Sequence, residues 1–343
     1  MLSPDEVRAA YRLILGREPD NDQVVAELAV RHRSVADLRA ALLGSVLWPG
    51  RFRGPAMAHP TDPAQLSASR REARKIVRRL APPKGWFRPS AAIRDRSAGC
   101  GPAADVMFLQ TCDPDRYFEM WAAGSQTVRR YCANQGFGYE AYIGIKSGCF
   151  PWHATYNRLF LFKELWERKF RGWAIYIDAD AVIANQDFDL RTYLRDKSEF
   201  AAVLTHTGAA QWWEVNIGVM MVNFAHPWTG QLVTRLLDLF VAYCRPHLRS
   251  AKTREDLPDD QSVLHYLLIE NEDPARRHIF LEGGFLNFGS SETLSAPHLP
   301  FVQHILQYQG SLEERTAAVA RLAREILART PDTTPNTKGA ALS

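Results

Sequence analysis

Residues 174–183 read Ala-Ile-Tyr-Ile-Asp-Ala-Asp-Ala-Val-Ile. An uncharged run, Ala174 to Ile177, meets two carboxylates one residue apart, Asp178 and Asp180, and apolar residues resume at Ala181. A short apolar run rich in β formers is the pattern of a strand covered on both faces. In open α/β sheets ligands bind beyond the carboxyl ends of the strands, where both aspartates fall. Two carboxylates this close repel unless a cation lies between them, and oxygen ligands suit a hard divalent ion. Spacing alone decides little, because Asp20/Asp22, Asp113/Asp115 and Asp187/Asp189 repeat it and Asp is common in turns. The strand in front of Asp178 sets this pair apart.

Outward from that strand the chain alternates. Residues 105–113, ending in Thr111 and Asp113, read as a first strand, 120–137 as a helix, 138–145 as a second strand and 156–170 as an amphipathic helix leading into 174–177. Residues 199–205 and 217–224 add strands. The order predicts an α/β fold, a mixed and mostly parallel sheet flanked by helices. Residues 311–327 form a last helix opened by a capping box, Ser311 with Glu314. Near the N-terminus, Ser3-Pro4-Asp5-Glu6 offers a second such box, and apolar periodicities through Val7, Tyr11, Ile14 and Leu15, then Val24 to Ala29, then Val35 to Leu43 predict a small all-α domain. The expected organisation is a helical domain over 1–53, a basic linker with a helix over 54–103, a catalytic domain over 104–310, a helix over 311–330 and a disordered polar tail over 331–343.

Composition bounds the function. With 343 residues, 46% hydrophobic and 23% charged, the chain has the make-up of a soluble globular protein with room for one large domain and a small one. No apolar run is long enough to span a bilayer, and no signal-peptide layout opens the chain. Five cysteines without a CxxC pair argue for reduced thiols, against a disulfide framework or a structural zinc site, and for the cytoplasm. The net charge is +4, yet residues 70–88 alone hold eight Lys/Arg against one Glu. The rest of the chain is slightly acidic, so a nucleic-acid partner is not expected. Residues 70–80 read instead as a basic amphipathic helix, followed by Trp86 and Phe87. That pattern suits either a solvated linker or peripheral contact with an anionic membrane, at its inner face.

Four stretches, 157–165 with the preceding Tyr156, 173–185, 216–223, and 259–268 followed by 301–307, resemble in order and separation the GT-A class of nucleotide-sugar glycosyltransferases. Within that class they are most similar to the galactosyl/xylosyltransferases of yeast and plants and, more distantly, to glycogenin-like retaining enzymes. The phrase YRLILGREPD at 11–20 resembles a small helical domain fused to bacterial glycosyltransferases. The resemblance implies a UDP-sugar or related nucleoside-diphosphate donor, a Mn²⁺ or Mg²⁺ cofactor, and a glycan or lipid-linked acceptor. It makes Asp178, Asp180 and His304 the metal ligands, and His suits Mn²⁺ better than Mg²⁺. It sets Arg158 near the donor phosphates, Thr111, Asp178, Asn216 and Gly218 around the donor, and Asp259, Asp260 and Gln261 beside the transferred sugar. Trp212 and Trp213 could stack on an acceptor. The chain departs from the glycogenin-like pattern after His304. No Lys-Pro pair follows, so either another basic residue grips the diphosphate or it is held less tightly.

Two rival functions use the same residues. A strand followed by Asp-x-Asp also fits a haloacid-dehalogenase-type phosphatase with Asp178 as nucleophile, although that motif opens its domain and two strands precede it here. A non-catalytic scaffold is the third reading. A calcium EF-hand loop fails, because neither its glycine nor its terminal glutamate follows.

Overall fold

The apolar run before Asp178 folds as a strand, Trp173–Ile177, buried at all five positions. A strand with no exposed face needs neighbours on both edges and cover on both sides, and the chain supplies them. The computed structural model describes residues 2–8, 22–31, 38, 93–96, 104–209, 211–290 and 299–329. Its strands are β1 (Ile93–Arg96), β2 (Val106–Cys112), β3 (Gly138–Ile143), β4 (Trp173–Ile177), β5 (Ala181–Ile183), β6 (Ala202–His206), β7 (Val215–Asn223), β8 (Ile279–Glu282), β9 (Phe288–Gly289) and β10 (Val302–His304). Its helices are α1 (Asp22–Arg31), α2 (Phe118–Gln135), α3 (Asn157–Glu167), α4 (Leu190–Arg195), α5 (Thr229–Leu239), α6 (Asp260–Glu270), α7 (Glu272–His278) and α8 (Leu312–Arg329).

Seven strands form one sheet in the order β1-β3-β2-β4-β7-β6-β8. The ladders β2/β3, β2/β4 and β6/β8 are parallel, while β1/β3, β4/β7 and β6/β7 are antiparallel. Five strands therefore run one way, with β1 and β7 reversed, which is the mixed, mostly parallel α/β sheet that the alternation predicts. Three further strands, β5-β10-β9, form a small second sheet. Strand β1 lies in the segment expected to be a linker. Its sequence, IRDR, has no apolar alternation to reveal it, and charge is a common way to protect an edge strand.

One face of the large sheet is covered by α2, through Phe108, Tyr131, Phe137, Tyr139 and Ile175, with Phe108 and Tyr131 edge to face at 5.8 Å. Helix α8 packs Val319, Leu322 and Ala323 against Met120 of α2, Val182 of β5 and Ile305. Both expected capping boxes form: Ser311 N donates to Glu314 Oε2 at 2.7 Å, and Ser3 N to Glu6 Oε2 at 2.7 Å. Gly124 sets the closeness of α2, since a Cβ there would stand 2.8 Å from the Ala181 carbonyl oxygen. The helix therefore rests against the turn that carries the two aspartates.

The chain divides into two compact units, Met1–Arg88 with Glu255–Pro258 and Pro89–Arg254 with Asp259–Ser343. In the first, Leu2, Val7, Val25, Ala29 and Leu38 share a small core. Of the expected linker over 54–103 only residues 93–96 are described; the basic stretch over 70–88 and the polar tail over 331–343 lie outside the described residues. Among the described residues no helix is long and apolar enough to cross a membrane. Cys112, Cys132, Cys149 and Cys244 are free thiols.

Candidate metal centre

The two aspartates sit where the backbone leaves one sheet and enters the other. Asp178 N donates to Gly218 O of β7 at 2.8 Å, which ties the end of β4 to the large sheet. Two residues on, Ile305 N donates to Asp180 O at 2.8 Å, and the β5/β10 register sets His304 opposite Ala181. The crossing thus delivers both carboxylates and the imidazole to one point. Ligand atoms of Asp178, Asp180 and His304 lie within 4.8 Å of one another. His304 Nε2 is 2.9 Å from Asp180 Oδ1 and 3.9 Å from Asp178 Oδ2.

Three further residues orient that imidazole. Gly218 N donates to Asn216 Oδ1 at 2.8 Å, and Asn287 Nδ2 donates to the same oxygen at 2.7 Å. With its NH₂ so engaged, Asn287 turns its oxygen toward His304 Nδ1, at 3.1 Å. Nδ1 then carries the proton and Nε2 carries a lone pair facing two carboxylates. That arrangement is repulsive by itself and becomes favourable around a cation. Two carboxylates and a neutral imidazole make a donor set that suits a divalent ion, so these residues fit the expected metal. Gly218 is required beside them, because a Cβ there would overlap the His304 ring.

Without an ion the groups lean on protons and arginines. Burial alone would lower the His304 pKa, but the Asp180 carboxylate outweighs it and holds the imidazole above its ordinary 6.5. Burial alone would raise Asp180, yet His304 and Arg315 keep it lowered. Arg315, on the first turn of α8, pairs with Asp180 Oδ2 and donates Nε to Ile305 O at 3.1 Å.

Arg158, on α3, is buried. It donates to Asp178 Oδ1 at 2.7 Å and to Ile217 O, pairs with Asp260, and lies 4.2 Å over the Tyr176 ring. It therefore reaches the centre through Asp178. Asp260 is buried among Arg158 and Thr155, and its desolvation, only partly offset by Arg158, lifts its pKa to about 6. Asp259 caps α6 through Ser262 N at 2.8 Å and pairs with Arg254. Burial opposes its charge, but Arg254 and Ser262 outweigh it and hold the pKa at about 2. Gln261 accepts from Ile217 N at 3.2 Å, one residue from Gly218. Thr111 is buried away in the strand layer, donating to Tyr142 O at 2.7 Å and accepting from Asn157 Nδ2 at 2.8 Å. Trp212 lies under the Arg276 guanidinium at 4.5 Å, and Trp213 packs on His265 at 5.4 Å.

Sequence reasoning misses Asn287 and Arg315. Asn287 precedes a two-residue strand, too short for any periodic signal. Arg315 did leave one. The buried positions of α8 are 315, 319, 322 and 323, so the apolar stripe, extended back one turn, lands on a charge.

No protein-family model matches the sequence, and no curated protein does. Several glycosyltransferases are among the solved structures similar to this chain. One, involved in glycosylation of the major capsid of PBCV-1, aligns with 63% of this chain and 98% of its own, at 15% identity and a TM-score of 0.47. The galactosyltransferase LgtC, in complex with donor and acceptor sugar analogues, aligns over 63% and 95%, at 11% identity and a TM-score of 0.37. Mouse xyloside xylosyltransferase 1 aligns over 60% and 99%, at 10% identity and a TM-score of 0.35.

Proposed function

We propose that this chain is a metal-dependent glycosyltransferase of the GT-A type. It moves a hexose or pentose from a nucleoside-diphosphate sugar, a UDP-sugar foremost, to a glycan or lipid-linked acceptor, with retention of configuration. The observation that carries this reading is the convergence of His304 Nε2 with the carboxylates of Asp178 and Asp180, its ring held at Nδ1 by Asn287. Mn²⁺ or Mg²⁺ held by these three groups supplies Lewis-acid neutralisation of a departing diphosphate. Gly218, having no Cβ, leaves room for the His304 ring to sit against the two carboxylates. Gln261, its oxygen bound to Ile217 N, leaves its NH₂ to donate to a hydroxyl oxygen of the sugar. Asp259 and Asp260 serve that step by capping α6 and by holding Arg158 against Asp178. The basic charge of residues 70–88 supports a place in the cytoplasm, at the inner face of the membrane where a lipid-linked acceptor is presented.

Strands β2 and β3 precede Asp178 in the chain, which weighs against a phosphatase whose nucleophile ends the first strand of its domain. An assay of the purified protein with a panel of nucleotide sugars tests the proposal. The expected result is Mn²⁺-dependent release of nucleoside diphosphate, stimulated by acceptor and lost in Asp180→Asn. Release of inorganic phosphate from simple phosphate esters, with no turnover of any nucleotide sugar, would overturn it.

A further inference from the structure

Arg315 occupies a position where an amphipathic helix ordinarily buries an apolar side chain. Its side chain is 3% exposed, and Arg158 is 4% exposed. A guanidinium cannot give up its charge in a protein, and burying one is costly unless it is paired. Arg315 meets that cost with Asp180 Oδ2, with Ile305 O and with the Tyr117 hydroxyl at 3.4 Å. The Asp180 oxygen it uses is the one turned away from His304, whose Nε2 faces Oδ1.

The charge balance of the cluster follows. Asp178, Asp180 and Asp260 bring three negative charges, and Arg158 and Arg315 return two. With His304 neutral, as a ligand must be, one negative charge is left for a divalent ion to meet. Once the ion is in place the sign reverses, and a buried site holds one uncompensated positive charge. Such a site is poor at holding a cation alone and well suited to holding a cation together with an anion.

We infer that cation and diphosphate bind this centre as a coupled pair, with Arg315 as the residue that couples them. It competes with the ion for Asp180 when no anion is present and turns its planar fork to the diphosphate when one is. The inference rests on the reading of Asp178, Asp180 and His304 as metal ligands and of a diphosphate as the leaving group. It assigns the anion contact to a helix lying beyond all four stretches that carry the resemblance. A guanidinium suits the task, because its parallel N–H groups match two phosphate oxygens. Coupling of this kind is reciprocal, so the anion must tighten the ion as much as the ion tightens the anion.

The test follows free Mn²⁺ by its paramagnetic resonance signal as the full-length protein is titrated, with and without inorganic pyrophosphate. Protein-free mixtures supply the correction for chelation. Wild type is expected to bind Mn²⁺ weakly alone and about tenfold more tightly with pyrophosphate, within the usual range of such couplings. Arg315→Gln is expected to bind Mn²⁺ alone several-fold more tightly than wild type and to lose most of the pyrophosphate enhancement. Losing the bond to Ile305 could loosen α8, so Arg315→Lys is the second probe. Lysine keeps the charge and loses the fork, so it should keep the weak affinity for the ion alone and part of the enhancement. If Arg315→Gln equals wild type in both measurements, the inference falls while the metal site stands. A wild type that binds no Mn²⁺ under either condition overturns the metal site itself, and the inference with it.

Discussion

Asn287 and His304 are joined by one hydrogen bond, Oδ1 to Nδ1 at 3.1 Å, and that bond chooses which ring nitrogen keeps a lone pair. The choice is anchored in the backbone. Gly218 N–H fixes the Asn216 oxygen, that oxygen fixes the Asn287 NH₂, and the Asn287 oxygen is left for the imidazole. Asn287→Leu keeps the approximate volume and removes the acceptor. It is expected to weaken Mn²⁺ affinity by about 10–100-fold, the usual cost of losing a partner of a metal-bound histidine. Mn²⁺ titration of the variant beside a thermal melt checks this, and an unchanged affinity would show the ring to be oriented by other means.

Acidity should oppose the ion at His304. The imidazole is held above its ordinary 6.5 by Asp180 once burial is outweighed, and it must be neutral to bind. Mn²⁺ affinity is therefore expected to fall as pH drops through that raised value, with a proton released for each ion bound. Calorimetric titrations in buffers of different ionisation enthalpy count that proton. In His304→Ala the proton release should vanish and the pH slope should flatten. A slope that persists in the variant assigns the proton to another group.

At Gly218 an added methyl has nowhere to go, since it would overlap the His304 ring. Gly218→Ala should cost about 1–3 kcal/mol in stability, the range for overpacking, and should displace the imidazole from the two carboxylates. The expected outcome is a folded protein with a lowered melting temperature and little Mn²⁺ binding. Wild-type metal affinity in this variant would mean that the ring is free to move aside.

Arg158, 4% exposed, holds Asp178 and Asp260 at once. Arg158→Met fills much of the same space and leaves the buried Asp260 and the partly exposed Asp178 without their cation. Removing one partner from a buried charge pair costs roughly 3–5 kcal/mol, and a loss of that size is expected in denaturant unfolding at neutral pH. A variant as stable as wild type would place the balancing charge elsewhere.

Much of the fold could be read from local pattern. Strands β2, β3, β4, β6 and β7 are apolar runs with turn residues beyond them, and both capping boxes announce their helices. Strand β8 and helix α5 were not anticipated, and β9 has only two residues. Of the centre, Asp178, Asp180 and His304 could be nominated because resemblance supplied the third ligand, 124 residues from Asp180. The spacing of the aspartates alone could not have done so. Arg158, expected near the donor phosphates, pairs here with Asp178 and Asp260, a result of packing that no linear pattern records. Asn287 lacked any local signal, whereas the misplaced charge at Arg315 was visible in the helix periodicity and went unread.

The junction of the two sheets has a consequence for the order in which the protein can become competent. Every strand of the seven-stranded sheet, through β8, has been synthesised before residue 283 is added. His304 and Arg315 follow only later, and β10 must then zip antiparallel onto β5. A nascent chain can thus complete its main scaffold while Asp178 and Asp180 still lack the imidazole opposite them. The three groups that could hold a metal can meet only once residue 304 has been added, after the whole of the large sheet.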